Sequence, residues 1–108
     1  MDFLVSTMND APGFRITTVL GEVTGLTVRA RNVGTQIGAG FKAFVGGELK
    51  GLTKQLQETR DEAMQRMVEA AQARGANAVI AMRFDANEVS ADYQEIVAYG
   101  TAVVIVKE

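Results

Sequence analysis

The feature that most constrains this fold is a segment near the C-terminus, residues 96–106, that is apolar on both faces of an extended strand. Side chains of a strand alternate between its two faces. One parity carries Val97, Val103 and Ile105, and the other carries Ile96, Val104 and Val106. The helices of so small a chain cannot cover both faces of a sheet, and another subunit is the simplest cover. The pattern therefore predicts a homo-oligomer.

Two helical segments precede this strand. Apolar residues at helical spacing predict a first helix over Asn32–Phe44, which tertiary packing must hold because its glycines disfavour it. A longer helix is predicted from about Glu48 to Arg74, where Leu56, Ala63 and Met67 lie on one apolar face. The two helices are therefore expected to form one layer of the domain.

Strand-like segments flank the helices on both sides. They are a short N-terminal strand within residues 1–7, Phe14–Thr24, Ala78–Asp85 and Tyr93–Lys107, the last two joined as a hairpin. The order strand, strand, helix, helix, strand, strand predicts a single α+β domain, residues 1–108, with two helices packed on a largely antiparallel sheet.

Composition excludes several kinds of site and partner. The chain has no Cys and no His, which excludes disulfides, thiolate and imidazole catalysis and Cys/His zinc sites. A formal charge of −2 argues against nucleic acid. The longest apolar stretch, about eleven residues, is shorter than the roughly 20 that span a bilayer, so no membrane partner is expected. The first residues lack the pattern of a signal peptide, so we expect a cytoplasmic protein. Because the chain has no His, no Cys and no nucleophile motif, we do not expect an enzyme.

One charge interrupts the apolar face of the long helix. Arg60 falls at the centre of that face, where a guanidinium must reach solvent, pair with a carboxylate or bind a ligand. Asp85 and Glu95 are expected opposite each other across the hairpin, where like charges are unfavourable unless a cation lies between them. We therefore expect Arg60 to pair with Asp85 or Glu95. The hairpin turn is flanked by four acids with oxygens suited to a hard divalent cation, although a solvated turn explains acidic residues there more simply. They are Asp85, Glu88, Asp92 and Glu95.

Short blocks along nearly the whole chain resemble the YbjQ-like proteins, a bacterial family whose domain is labelled heavy-metal-binding. The blocks are Leu20–Gly25, Gly46–Leu49, Thr59–Ala63, Gly75–Ile80, Arg83–Asp85, Glu95 and Tyr99–Val103. Their order and spacing carry the resemblance. It implies a dodecin-like fold assembled as a ring, with a pentamer as the expected order, and no established activity. A soft heavy metal needs thiolate or imidazole ligands that this chain lacks, so no cofactor is predicted and a divalent cation is only weakly supported.

Three functions remain open at this stage. The preferred one is a homo-oligomeric ring that binds a small ligand or cation at subunit interfaces, with Glu48, Arg60, Asp85 and Glu95 as candidate ligand or ion-pair residues. The second is a ring that presents a surface to an unidentified partner protein. The third, an enzyme, would need a cleft with perturbed acids.

Overall fold

The computed structural model of this chain describes residues 2–30 and 50–108. Its elements in chain order are β1 (Leu4–Val5), β2 (Phe14–Ala30), α1 (Lys50–Ala73), β3 (Ala78–Glu88) and β4 (Tyr93–Lys107). The predicted helix over Asn32–Phe44 lies outside the described residues. Within residues 2–30 and 50–108, no helix combines the length and the apolar character that crossing a membrane requires.

The four strands form one mixed sheet in the order β1-β3-β4-β2. Both β2 and β3 are antiparallel to β4, whereas β1 is parallel to β3. The predicted arrangement of two helices on a largely antiparallel sheet is therefore wrong, because the described residues form one helix and a mixed sheet. The parallel pairing arises because the N-terminal segment runs beside β3, where Leu4 N–H donates to Asn77 O and Ser6 N–H donates to Val79 O.

The predicted hairpin and the bounds of its second strand are confirmed, but two strands are longer than expected. β3 continues to Glu88 and β2 continues to Ala30. A glycine within a strand often marks a bulge or the end of the strand, but Gly25 pairs regularly with Ala98. The glycine is needed for a different reason, which is the close approach of the helix.

The helix packs on the sheet through small side chains. Ala63, Met67 and Ala71 of α1 are fully buried against a sheet face that includes Val23. A Cβ atom at Gly25 would lie 2.0 Å from the carbonyl oxygen of Ala63, far inside van der Waals contact. The backbone of the helix therefore touches the sheet directly at this glycine, which fixes the rotation of α1 about its axis.

The opposite sheet face is covered within the chain at one end. A second apolar cluster there contains Ala11 of the N-terminal segment together with Ala78, Ile80, Val103 and Ile105. Asn77 closes this end, because its Oδ1 accepts from Ile105 N–H at 2.8 Å and its Nδ2 donates to Ile105 O at 2.9 Å. The other end of this face, near the hairpin, has no such cover among the described residues.

Candidate functional site

The uncovered part of the sheet is an apolar surface built by two neighbouring strands. Val23, Gly25 and Thr27 of β2 are buried towards the helix, so the alternate residues of β2 point to the opposite face. Leu26 and Val28 are 44% and 50% exposed on that face. The register places Val97 beside Leu26, and Tyr99 follows at 37% exposed. We call the surface formed by Leu26, Val28, Val97 and Tyr99 the open face.

Two of the predicted site residues lie at the β3 margin of the open face. Asp85 pairs with Val97 in the β3–β4 register, and Glu95 pairs with Asn87 on one side and Val28 on the other. Asp85 and Glu95 are therefore not directly opposite each other, as the sequence had suggested. Asp85 and Glu95 belong to neighbouring residue pairs of the same sheet face, Asp85–Val97 and Asn87–Glu95.

Asn87 joins the two carboxylates. Its Nδ2 donates to Asp85 Oδ2 and to Glu95 Oε1, at 3.3 Å in both cases. The second oxygen of Asp85 accepts from the N–H of Ala86 at 3.0 Å. The side-chain amide thus occupies the place between the two acids where the sequence analysis expected a cation or Arg60. Carboxylate and amide oxygens together are still the ligand types that hard cations prefer.

Arg60 lies on the exposed flank of α1 instead of on its buried stripe. Its guanidinium carbon is 5.3 Å from the centre of the Phe84 ring, a cation–π distance. Within the described part of a single chain, it forms no salt bridge with Asp85 or Glu95. The buried stripe passes through Thr59 and Ala63, because the contact at Gly25 turns that side of the helix to the sheet.

The fourth candidate, Glu48, lies outside the described residues. The described residues also hold a charged cluster that joins α1 to β2. The i, i+4 spacing of Glu62 and Arg66 on a helix favours an ion pair, and the structure has it at 2.6 Å. Glu62 also binds Arg29 of β2 at 2.6 Å. The contact with Arg29 joins residues 33 positions apart, so no local spacing rule could have found it.

The ligand set does not fit a soft heavy metal. Thiolate and imidazole are absent from the sequence, and the thioethers of Met67 and Met82 are buried in the apolar cluster under the helix. Among the residues that the structure describes, no three or more Asp, Glu, His or Cys side chains come together in a way that could hold a metal ion. The two acids at the open face therefore make at most an incomplete site within one chain.

These features define a small α+β protein with a single long helix on a mixed sheet, an open apolar sheet face and two acids at its margin. The chain belongs to the YbjQ family, whose sequence profile, described as "Putative heavy-metal-binding", matches residues 3–106. This confirms the resemblance seen in the sequence blocks. The family description refers to a heavy metal, but the thiolate and imidazole ligands that such a metal requires are absent from this chain.

Curated relatives extend across nearly the whole chain. A UPF0145 protein of Streptomyces griseus is 62% identical over 106 residues, covering 98% of this chain and 88% of that protein. A UPF0145 protein of Sulfurisphaera tokodaii is 47% identical over 106 residues, covering 98% and 93%. The second is archaeal, so the expectation of a purely bacterial family is wrong.

A solved structure shares the fold. It is the crystal structure of a protein of unknown function of the DUF74 family from Pediococcus pentosaceus, with a TM-score of 0.63 and 16% sequence identity. The match covers 96% of this chain and 98% of that chain. At this identity the likeness concerns the fold alone.

Proposed function

We propose that this protein is a non-catalytic homo-oligomer that binds a small polar ligand or a hard divalent cation where its subunits meet. The observation that carries the proposal is the open face, which places Leu26, Val28 and Tyr99 in contact with solvent beside two carboxylates. Apolar surface of this kind, rimmed by polar groups, is typical of a contact between subunits. The family resemblance implies a pentamer as the order of the assembly.

The charges around the open face favour a second copy as the occupant. Arg83 pairs with Tyr99 and Asp85 pairs with Val97, so both signs of charge lie along the same margin of the face. A surface that carries both signs can match another copy of itself without a net repulsion. Burial of the apolar side chains would then supply most of the binding free energy.

The two acids gain a role in such an assembly. Asp85 and Glu95 offer carboxylate oxygens, which are fewer ligands than the six to eight oxygens that calcium takes. A neighbouring subunit, water or the ligand itself would complete the set. Binding of the cation is therefore expected to depend on assembly.

Light scattering coupled to size exclusion tests the assembly. We expect a mass of five times 11.6 kDa for the parent and of 11.6 kDa for Leu26→Glu, which places a charge in the open face. Leu56→Glu is the matched control, since Leu56 is 53% exposed on α1, which packs on the other face of the sheet. A monomeric parent, or a Leu26→Glu variant of unchanged mass, would contradict the proposal.

Calorimetric titration with Ca²⁺ and Mg²⁺ tests the site. We expect the assembled parent to bind one of these ions, and Asp85→Asn and Glu95→Gln each to weaken that binding at least about tenfold. Glu69→Gln is the control, because Glu69 lies on the helix, where it accepts from Gln65. Equal titrations for the parent and for both site variants would remove the acids from the proposed function.

A further inference from the structure

The long strand β2 is an edge of the sheet. It runs for 17 residues, and β4 is its one strand partner among the described residues. The outer edge of such a strand presents unpaired N–H and C=O groups to which another chain can add. An edge of this length beside an apolar face is a hazard that native proteins usually control.

Two arginines contact this edge, Arg66 of α1 and Arg74, which directly follows the last residue of α1. Arg74 Nη1 donates to the carbonyl oxygens of Leu20 and Glu22, at 3.2 and 3.0 Å. Arg66 Nη1 donates to the carbonyl oxygen of Leu26. These contacts engage three acceptors along seven residues of β2 with side-chain donors of the same chain.

The capped carbonyls of Glu22 and Leu26 point outwards. Residues of a central strand in an antiparallel ladder alternate between its two neighbours. The N–H of Met82 donates to Ser6 O, on the side of β3 that faces away from β4. The next residue, Arg83, therefore bonds on the opposite side, to its register partner Tyr99 of β4. The even-numbered residues of β4 from 96 to 102 then bond to the odd-numbered residues of β2, which leaves the peptide groups at Glu22, Thr24, Leu26 and Val28 on the outer edge.

Further features make the same edge a poor template. The β2–β4 register shifts between Ile16 and Thr18 and again between Val19 and Gly21, and such bulges bend and twist a strand. Gly21 has a φ of +102°, which L side chains rarely adopt. Arg66 is also held in place by Glu62 at 2.6 Å. Two fixed side chains, those of Arg66 and Arg74, and an irregular backbone therefore act together at this edge. We call the two arginines the guard.

We propose that Arg66 and Arg74 hold the outer edge of β2 closed to strand addition by a second copy of this chain. Copies then meet through the open face and not by extending the sheet. The second statement rests on the proposed function, whereas the guarding of the edge does not. The partner that the two arginines exclude is an extended strand of a second copy, because assembly of copies brings their identical strand edges close together.

Amide hydrogen exchange measured by NMR tests the state of the edge in the parent protein. We expect the amides of Thr24 and Val28 to exchange at least about tenfold faster than those of Val23 and Gly25, at dilute and at concentrated protein alike. Protection of Thr24 and Val28 that appears on assembly would show that copies pair along this edge, and would overturn the proposal.

Removal of the guard gives the second test. The double variant Arg66→Met/Arg74→Met is expected to form species larger than the parent in light scattering, with new protection at the Thr24 amide. Adding Thr24→Pro, which removes an outward N–H, should restore the parent mass. Lys54→Met/Lys107→Met removes the same charge from exposed positions outside β2 and should leave the mass unchanged.

The outcomes separate the two proposals. A monomeric parent with fast exchange at Thr24 and Val28 would contradict the proposed function and leave the guard intact. An unguarded double variant with the mass of the parent would contradict the guard alone. If that variant does not fold, the exchange pattern of the parent still decides the question.

Discussion

Replacing Gly25 by Ala is the most direct test of how the helix seats on the sheet. The added Cβ would lie 2.0 Å from Ala63 O and 2.3 Å from Met67 N, both of them backbone atoms of the helix. Real Cβ atoms stay at least 3.0 Å from such neighbours, so α1 must retreat by about 1 Å. No flexible side chain is available to absorb that shift.

The expected cost follows from the contacts that the retreat weakens. A radial gap of about 0.5–1 Å forfeits roughly a quarter to a half of each dispersion contact. Overpacked cores lose about 1–3 kcal/mol and occasionally more, and here the fully buried Ala63, Met67 and Ala71 would all shift together. We therefore expect Gly25→Ala to lower the free energy of unfolding by about 3 kcal/mol or more, a large part of a typical total of about 5–15 kcal/mol.

Urea denaturation followed by circular dichroism measures this loss at a fixed protein concentration, since the stability of the proposed oligomer would depend on concentration. With slopes of about 1–3 kcal/mol per molar urea, the midpoint should fall by at least about 1 M. Gly51→Ala is the matched control, because Gly51 lies in the helix with nothing within 4 Å of the added Cβ. That control should gain about 0.5–1 kcal/mol. A Gly25→Ala protein within about 0.5 kcal/mol of the parent would refute the close contact.

Three further predictions follow from single contacts. Asn77→Asp should lower the free energy of unfolding by about 1–3 kcal/mol in thermal or urea unfolding, because it replaces the donor to Ile105 O with an acceptor. Arg60→Met should cost only about 1 kcal/mol or less, with a coupling to Phe84→Leu and none to Glu95→Gln in double-mutant cycles; a strong coupling to Glu95 would restore the ion pair expected from the sequence. Zinc, copper and nickel should show no stoichiometric submicromolar binding by calorimetry, and such a site for any of them would contradict the reading of the ligand set.

The strands were largely predictable from sequence because their signal is local. A run rich in apolar and β-branched residues places β4 at Tyr93–Lys107, and the short turn before it joins it to β3. The pairing of β1 could not be predicted, because a strand of two residues has no sequence pattern that identifies its partner or its register. The structure pairs Leu4 with Ala78 of β3, in the parallel direction. The mixed character of the sheet thus depends on a contact across more than 70 positions of the chain.

The candidate site was only partly predictable for a related reason. A helical wheel weights large apolar side chains, so it set the buried face of α1 near Leu56 and placed Arg60 at its centre. Leu56 is in fact 53% exposed, whereas Thr59 and Ala63 are buried. Small residues decide the packing here because Gly25 lets the backbones touch, and a hydrophobicity pattern does not register that.

The bridge made by Asn87 changes what the two acids at the open face require. Two carboxylates on adjacent pairs of a sheet repel, and an intervening cation is one way to offset the repulsion. Here the two N–H groups of one amide already donate to Asp85 and Glu95, so the arrangement is held within the chain without an ion. Each acid keeps oxygen lone pairs that Asn87 does not use. The proposed binding role of the two acids therefore rests on these lone pairs and not on a need to offset the repulsion between the carboxylates, which the amide of Asn87 already does.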